Sequence, residues 1–214
     1  MDLTLKQLIP VPLKEKITGN SSDIWNQAVG FQKGEHVFVQ APSGTGKTTL
    51  IHILYGLRKD YTGQVLWDEQ SLEKITGDQL AHLRATYVSV VFQDLRLFPE
   101  MTAWENLELK RSLTNSVSPE RVGEMLNCLG IYEKKDSLAS TLSYGERQRV
   151  AIIRSLLQPF DWLLMDEPFS HLDNMNIEKA VNLIGEVVAT NNAGLLLADL
   201  EKNDYFRYHK KLFL

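Results

Sequence analysis

The sequence predicts an α/β fold: a phosphate-loop core with an N-terminal antiparallel β region and an inserted α-helical subdomain. Three observations carry it. Strand and helix signals alternate along the 214 residues. One strand-to-helix transition is a Gly-rich turn ending in Gly-Lys-Thr, and from Thr102 to Ser140 the alternation gives way to successive helices.

The first forty residues read as β structure and turns, with Gly19-Asn20-Ser21-Ser22 a loop and Phe31 to Glu35 a turn into the strand Val37-Phe38-Val39. The turn Ala41-Pro42-Ser43-Gly44-Thr45-Gly46-Lys47-Thr48-Thr49 follows, and Leu50 to Gly56 continues it as a helix. Thr62 to Trp67 reads as a strand and Tyr87 to Phe92 as a buried one. Trp104, Leu107, Leu109 and Leu113 mark a helix. Pro119 opens another, carried by Val122, Met125, Leu126 and Leu129 and stopped at Gly130. Ser143 and Gly145 open a third helix ahead of the apolar run Trp162-Leu163-Leu164-Met165. Ile177 to Val188 has helical spacing and Gly194 to Leu197 is a last buried strand. The basic, aromatic tail Tyr205 to Lys211 reads as a closing edge strand with a solvated face, its cationic cluster being too short to argue for lipid or nucleic acid.

With 43% apolar residues the chain can bury one core and fits a single domain. Its 23 basic and 27 acidic side chains leave a net charge of -4, so no nucleic-acid partner is expected. The single cysteine, Cys128, excludes an internal disulfide and is expected as a small core residue on its helix. No run of eighteen apolar residues and no basic-then-apolar leader occurs, which gives the expectation of a cytoplasmic protein that reaches a membrane only through a protein partner.

The chemistry sits in two places. A Gly-rich turn between strand and helix lets backbone N–H groups converge on phosphate oxygens; Lys47 reaches the outer phosphates and the Thr48 hydroxyl binds Mg²⁺. The run ending in Asp166-Glu167 delivers two carboxylates to the end of a buried strand, where a ligand crevice lies. Asp166 suits Mg²⁺ and Glu167 suits accepting a proton from an attacking water.

In this order, phosphate loop, Ser143-x-Gly145 and Asp166-Glu167, the chain resembles the ATP-binding-cassette ATPases, whose core is a RecA-like P-loop NTPase. The segment Leu95 to Leu107 is similar to the corresponding stretch of the lipoprotein-release, cell-division and macrolide-export ATPases of that family. The resemblance implies one cassette over 1–214, with 1–94 and 146–214 as core and 95–145 as helical subdomain. It implies that residues 41–49 cradle MgATP and that Gln93 positions metal and water beside the catalytic Lys47 and Glu167. Pro168 to Asp173 matches the family's D-loop. Leu142 to Glu146 holds the signature position, so Ser143, Gly145 and Glu146 are expected to meet ATP bound by a second copy. A homodimer docked at the inner face of a membrane on a separate transmembrane permease, exchanging ATP for ADP, is what the family leads one to expect.

The departures are specific. Ala41 replaces the first glycine of the phosphate loop, tolerable if its φ stays negative. Tyr144 and Glu146 stand where the signature usually has Gly and Gln, and Tyr144 adds bulk near the partner's nucleotide. Ala198 occupies the position of the histidine that contacts the γ-phosphate, which predicts slow hydrolysis. Leu8 to Ile17 has no aromatic to stack on adenine; Trp25 is the nearest, and core packing is the expected role for it, as for Trp67, Tyr87 and Trp104. The alternatives are a nucleotide-gated scaffold with weak turnover and a soluble, non-transport cassette.

Overall fold

The computed structural model describes residues 1–17 and 21–214, so Gly19 and Asn20 of the expected loop lie outside it. In chain order the regular elements are β1 (Leu3–Pro10), α1 (Lys14–Ile17), β2 (Ala28–Phe31), β3 (His36–Gln40), α2 (Lys47–Leu54), β4 (Tyr61–Trp67), β5 (Gln70–Ser71) and α3 (Gly77–Thr86). They continue with β6 (Val88–Val91), α4 (Ala103–Arg111), α5 (Pro119–Cys128), α6 (Tyr144–Ser155), β7 (Trp162–Asp166), α7 (Asn174–Thr190), β8 (Gly194–Asp199) and β9 (Lys210–Phe213).

Two sheets form. The antiparallel one has the order β2-β1-β4-β5. Leu3, Leu5 and Leu8 turn inward from β1, and the register against β4 slips between Lys6 and Ile9. Gly63 sits opposite the slip at φ +88, where a Cβ would lie 2.2 Å from the Gln7 carbonyl oxygen, so no side chain fits. The parallel sheet runs β6-β7-β8-β3-β9 and is covered on both faces, which is why β7 and β8 are unbroken apolar runs.

That sheet divides the core. Leu163, Met165, Leu195 and Leu197 face one cluster, which the inner faces of α4, α5, α6 and α7 complete. Trp162, Leu164, Leu196 and Ala198 face the other, shared with α2 and the antiparallel sheet. Asp166 pairs in register with Ala198, so the acidic end of β7 emerges beside the end of β8 and on the α2 side.

Local signals explain most boundaries. Thr102 and Glu105 close a capping box on α4, and Ser118 caps α5 ahead of Pro119. The helix α3 has no counterpart in the sequence reading: it buries only Leu83, so it lacks an apolar stripe, and its one signal is the Thr76/Gln79 capping box. Cys128 is a correction. It is exposed, because Val122, Met125, Leu126 and Leu129 take the inner stripe of its helix and leave Cys128 on the solvent side. Leu109 and Leu113, expected on the helix marked by Trp104, are 44% and 69% exposed, and Leu113 lies past the end of α4. Trp67 is buried and donates to the Leu54 carbonyl; Tyr87 and Trp104 pack against the clusters. The tail closes the parallel sheet at its edge as β9, starting at Lys210, while Phe206 and Tyr208 pack inward before it.

Candidate active site

The phosphate loop is built on the end of β3. Gly46 precedes α2 at φ +108, and the Thr45 hydroxyl donates to the Pro42 carbonyl at 2.8 Å, so the turn closes on itself. Ala41 is not among the described residues with positive φ, so its methyl costs no strain, and its N–H donates to the Asp199 carbonyl at 2.9 Å. Beneath the loop, the Trp25 indole N–H donates to the Thr45 carbonyl at 3.1 Å. A Cβ on Gly46 would lie 2.5 Å from Leu13 and 3.1 Å from the Trp25 ring. Trp25 therefore braces the loop from below, as core packing. Beside it, a cavity of about 330 Å³ is lined by Leu13, Ile17, Trp25 and Thr45.

Lys47 opens α2 and is buried. Its ammonium donates to the Ala41 carbonyl at 3.2 Å and pairs with the Glu167 carboxylate at 2.9 Å. Two of the expected catalytic groups thus hold each other. Glu167 sits at φ +47, kept there by its N–H donating to the Ala198 carbonyl at 2.9 Å and by Gln148 donating to its carbonyl at 3.3 Å.

Asp166 is 1% exposed, and one of its oxygens, Oδ1, is buried with no partner. Burial pushes its pKa up to about 6; the Thr48 hydroxyl and Lys47 oppose that rise, and the Glu167 charge adds to it. Thr48 also donates to the Gln93 side-chain oxygen at 3.2 Å. A bare carboxylate oxygen, a hydroxyl and an amide oxygen make an all-oxygen set suited to a hard divalent cation such as Mg²⁺. Asp199, at the end of β8, also has its pKa raised by burial, with the charges of Glu167 and Glu201 adding to it. Ala198, one residue before Asp199, presents only a methyl, fully buried in the core cluster shared with α2.

The remaining expected site residues lie at the start of α6. Ser143 caps it: its hydroxyl accepts from the Glu146 N–H at 3.3 Å while Glu146 accepts from the Ser143 N–H at 2.8 Å. Glu146 in place of Gln thus completes a capping box, and that backbone bond is the main reason its pKa is lowered. A Cβ on Gly145 would lie 2.9 Å from the His171 carbonyl oxygen, so glycine here permits close packing against the segment after β7. Tyr144 donates from its hydroxyl to the Gln93 carbonyl at 2.9 Å and lays its ring against His171 with centroids 4.0 Å apart. Among the described residues, no hydrogen bond joins Ser143 or Glu146 to the phosphate loop. Trp25 takes the core-packing role expected of it, while Gln148 is a structural member that motif reading passes over, because it is buried inside a helix face that otherwise reads as charged.

The model of the ABC transporter family matches residues 26–170. The chain is 35% identical to the lipoprotein-releasing system ATP-binding protein LolD of Buchnera aphidicola, over 78% of this chain and 74% of that protein. It is 33% identical to an uncharacterised ABC transporter ATP-binding protein of Mycobacterium tuberculosis, over 76% of this chain but 53% of that one. Among solved structures it is similar to a bacterial ABC transporter cassette solved as a dimer, at TM-score 0.78 and 26% identity, covering 93% of this chain and 88% of that one. A post-hydrolysis dimer bound to ADP and phosphate matches at TM-score 0.77 with the same identity and coverage.

Proposed function

The chain belongs to the ABC transporter family, and we propose that it works there as an ATP-hydrolysing subunit whose active site is completed by a second copy of itself. One observation carries this reading. The phosphate loop, Asp166 and Glu167 form one half-site, while the first N–H groups of α6 at Tyr144 and Gly145 have no helical partner and make no bond to that half-site within the chain. An anion bound on Lys47 of one copy suits the N-terminus of α6 in another.

In this reading the loop N–H groups and Lys47 hold the ATP phosphates, and Thr48, Gln93 and Asp166 hold Mg²⁺, which would neutralise phosphate charge. Phosphate entry draws Lys47 off Glu167, leaving the carboxylate free to accept a proton from water. The cavity beside Trp25 receives the base on the apolar side chains of Leu13 and Ile17. Turnover is slow because Ala198 supplies no donor to the transferring phosphate.

A transmembrane partner fits the groove of about 250 Å³ between β6 and α4, whose rim exposes Phe98, Leu109 and Leu113. No helix of the described residues is long and apolar enough to cross a membrane itself. The second reading, a nucleotide-gated scaffold, draws on the same Ala198. Glu167→Gln protein with MgATP is expected to elute as a stable dimer by light scattering, and protein that stays monomeric at millimolar MgATP would sink the two-copy reading.

A further inference from the structure

The residue at 144 is where this chain departs most in size from the signature it resembles, and the structure gives that residue a task. The Tyr144 hydroxyl donates to the Gln93 carbonyl at 2.9 Å, and the Gln93 side chain accepts from Thr48 of the phosphate loop at 3.2 Å. The Tyr144 ring also lies 4.0 Å, centroid to centroid, from His171, with the Arg147 guanidinium over the ring at 5.3 Å. The His171 N–H donates to Gln148, and Gln148 in turn donates to the Glu167 carbonyl. Two chains of contacts, one from Thr48 of the phosphate loop and one from the backbone of Glu167, therefore meet at one ring.

We infer that Tyr144 is a positioning residue, an intrachain clasp that fixes the N-terminus of α6 against both the Gln93 segment and the segment carrying His171. The inference rests on the two-copy reading, because a fixed α6 N-terminus matters when it must meet ATP held by another chain. A glycine at 144 could make neither contact. Gly145 belongs to the same arrangement: a Cβ there would lie 2.9 Å from the His171 carbonyl oxygen, so a side chain would push apart the two segments that bring the Tyr144 ring onto the imidazole. Tyr144 thus points back into its own chain, and its bulk does not stand in the way of a partner's nucleotide.

The clasp acts on closure, so its loss should show in assembly and not in the binding of nucleotide to one copy. In the Glu167→Gln background, Tyr144→Phe keeps the ring on His171 and removes the bond to Gln93. The MgATP concentration giving half-maximal dimer is expected to rise about three- to tenfold, the range for one such hydrogen bond. Tyr144→Gly, which removes both contacts, is expected to raise it further. MgADP affinity of the monomer by calorimetry should stay as in the parent.

The proposal is overturned if both variants dimerise at the parent's MgATP concentration, or if monomer MgADP affinity falls in step with dimerisation, since Tyr144 would then only support the phosphate site. A Glu167→Gln parent that never dimerises overturns the two-copy reading, and the role of Tyr144 with it.

Discussion

The two ends of the site are built on opposite electrostatic principles. At the start of α6, Ser143, Tyr144 and Glu146 each have partners, and helix, turn and aromatic ring interlock. At the ends of β7 and β8, Asp166, Glu167 and Asp199 converge, two with pKa values raised by burial, and Lys47 is the cation paired among them. The first region has its side chains paired as folded. The second is a concentration of negative charge held in check by a single lysine, and it calls for a cation. The contrast teaches that the surface proposed to meet a second copy is prearranged, while the carboxylate end leaves charge that a ligand would have to balance.

The largest effect should come from removing that lysine. Lys47 and Glu167 pair at 2.9 Å with side chains 7% and 10% exposed. Deleting one partner of a buried pair leaves an uncompensated charge and costs about 3–5 kcal/mol. Lys47→Ala is therefore expected to unfold at markedly lower urea without nucleotide, and Lys47→Ala with Glu167→Gln to recover much of the loss. Equal instability in the single and double variants would show that the pair carries no such weight, and the contrast between the two ends would collapse.

A second test asks whether the chemical end lacks a part. Ala198 lies in register with Asp166 and is fully buried in the core cluster shared with α2. Ala198→His is expected to raise the ATPase rate at saturating MgATP, by up to the roughly 10²- to 10³-fold that one preorganised donor supplies. Melting curves check that the larger side chain is accommodated. An unchanged rate in a folded variant means that another group already serves the transferring phosphate, and slow turnover would lose its basis.

How far the sequence discloses this contrast follows from which features are local. The phosphate loop, Asp166-Glu167 and the capped start of α6 are runs of adjacent residues whose spacing dictates their conformation, so the sequence shows them directly. The alternation of β7 and β8 with helices is visible for the same reason. What the sequence hides are contacts across distance. The Lys47–Glu167 pair joins two motifs that read separately as ligand groups. The hydroxyl of Tyr144 reaches a carbonyl 51 positions away, so from sequence its size looks like an intrusion instead of a clasp. Trp25 shows its purpose only once the loop is folded over it. Cys128 and α3 were hidden for a different reason: an apolar stripe is judged by its neighbours, and one residue off the stripe, or a helix with almost none, gives little periodic signal.

The smallest expected effect gives the sharpest view of the chemical end. Folding carries Asp166 from the ordinary carboxylate range up to about 6, because its charged form is buried beside Glu167. The sign follows from linkage. Below the unfolded pKa the group is protonated in both states and costs nothing; as pH rises through about 6, folding must bury the charge, and stability is lost. Replacing the ion with a neutral amide removes that loss. Asp166→Asn should therefore be more stable than the parent in EDTA at pH 7.5, by about 1–3 kcal/mol in urea titration, with the gap closing toward pH 4. Mg²⁺ with ATP should reverse the ranking, since the buried Oδ1, which has no hydrogen-bond partner in the protein, is the oxygen a cation would take. If the gap persists at pH 4, it comes from packing and not from charge, and the strain assigned to the carboxylate end lies elsewhere.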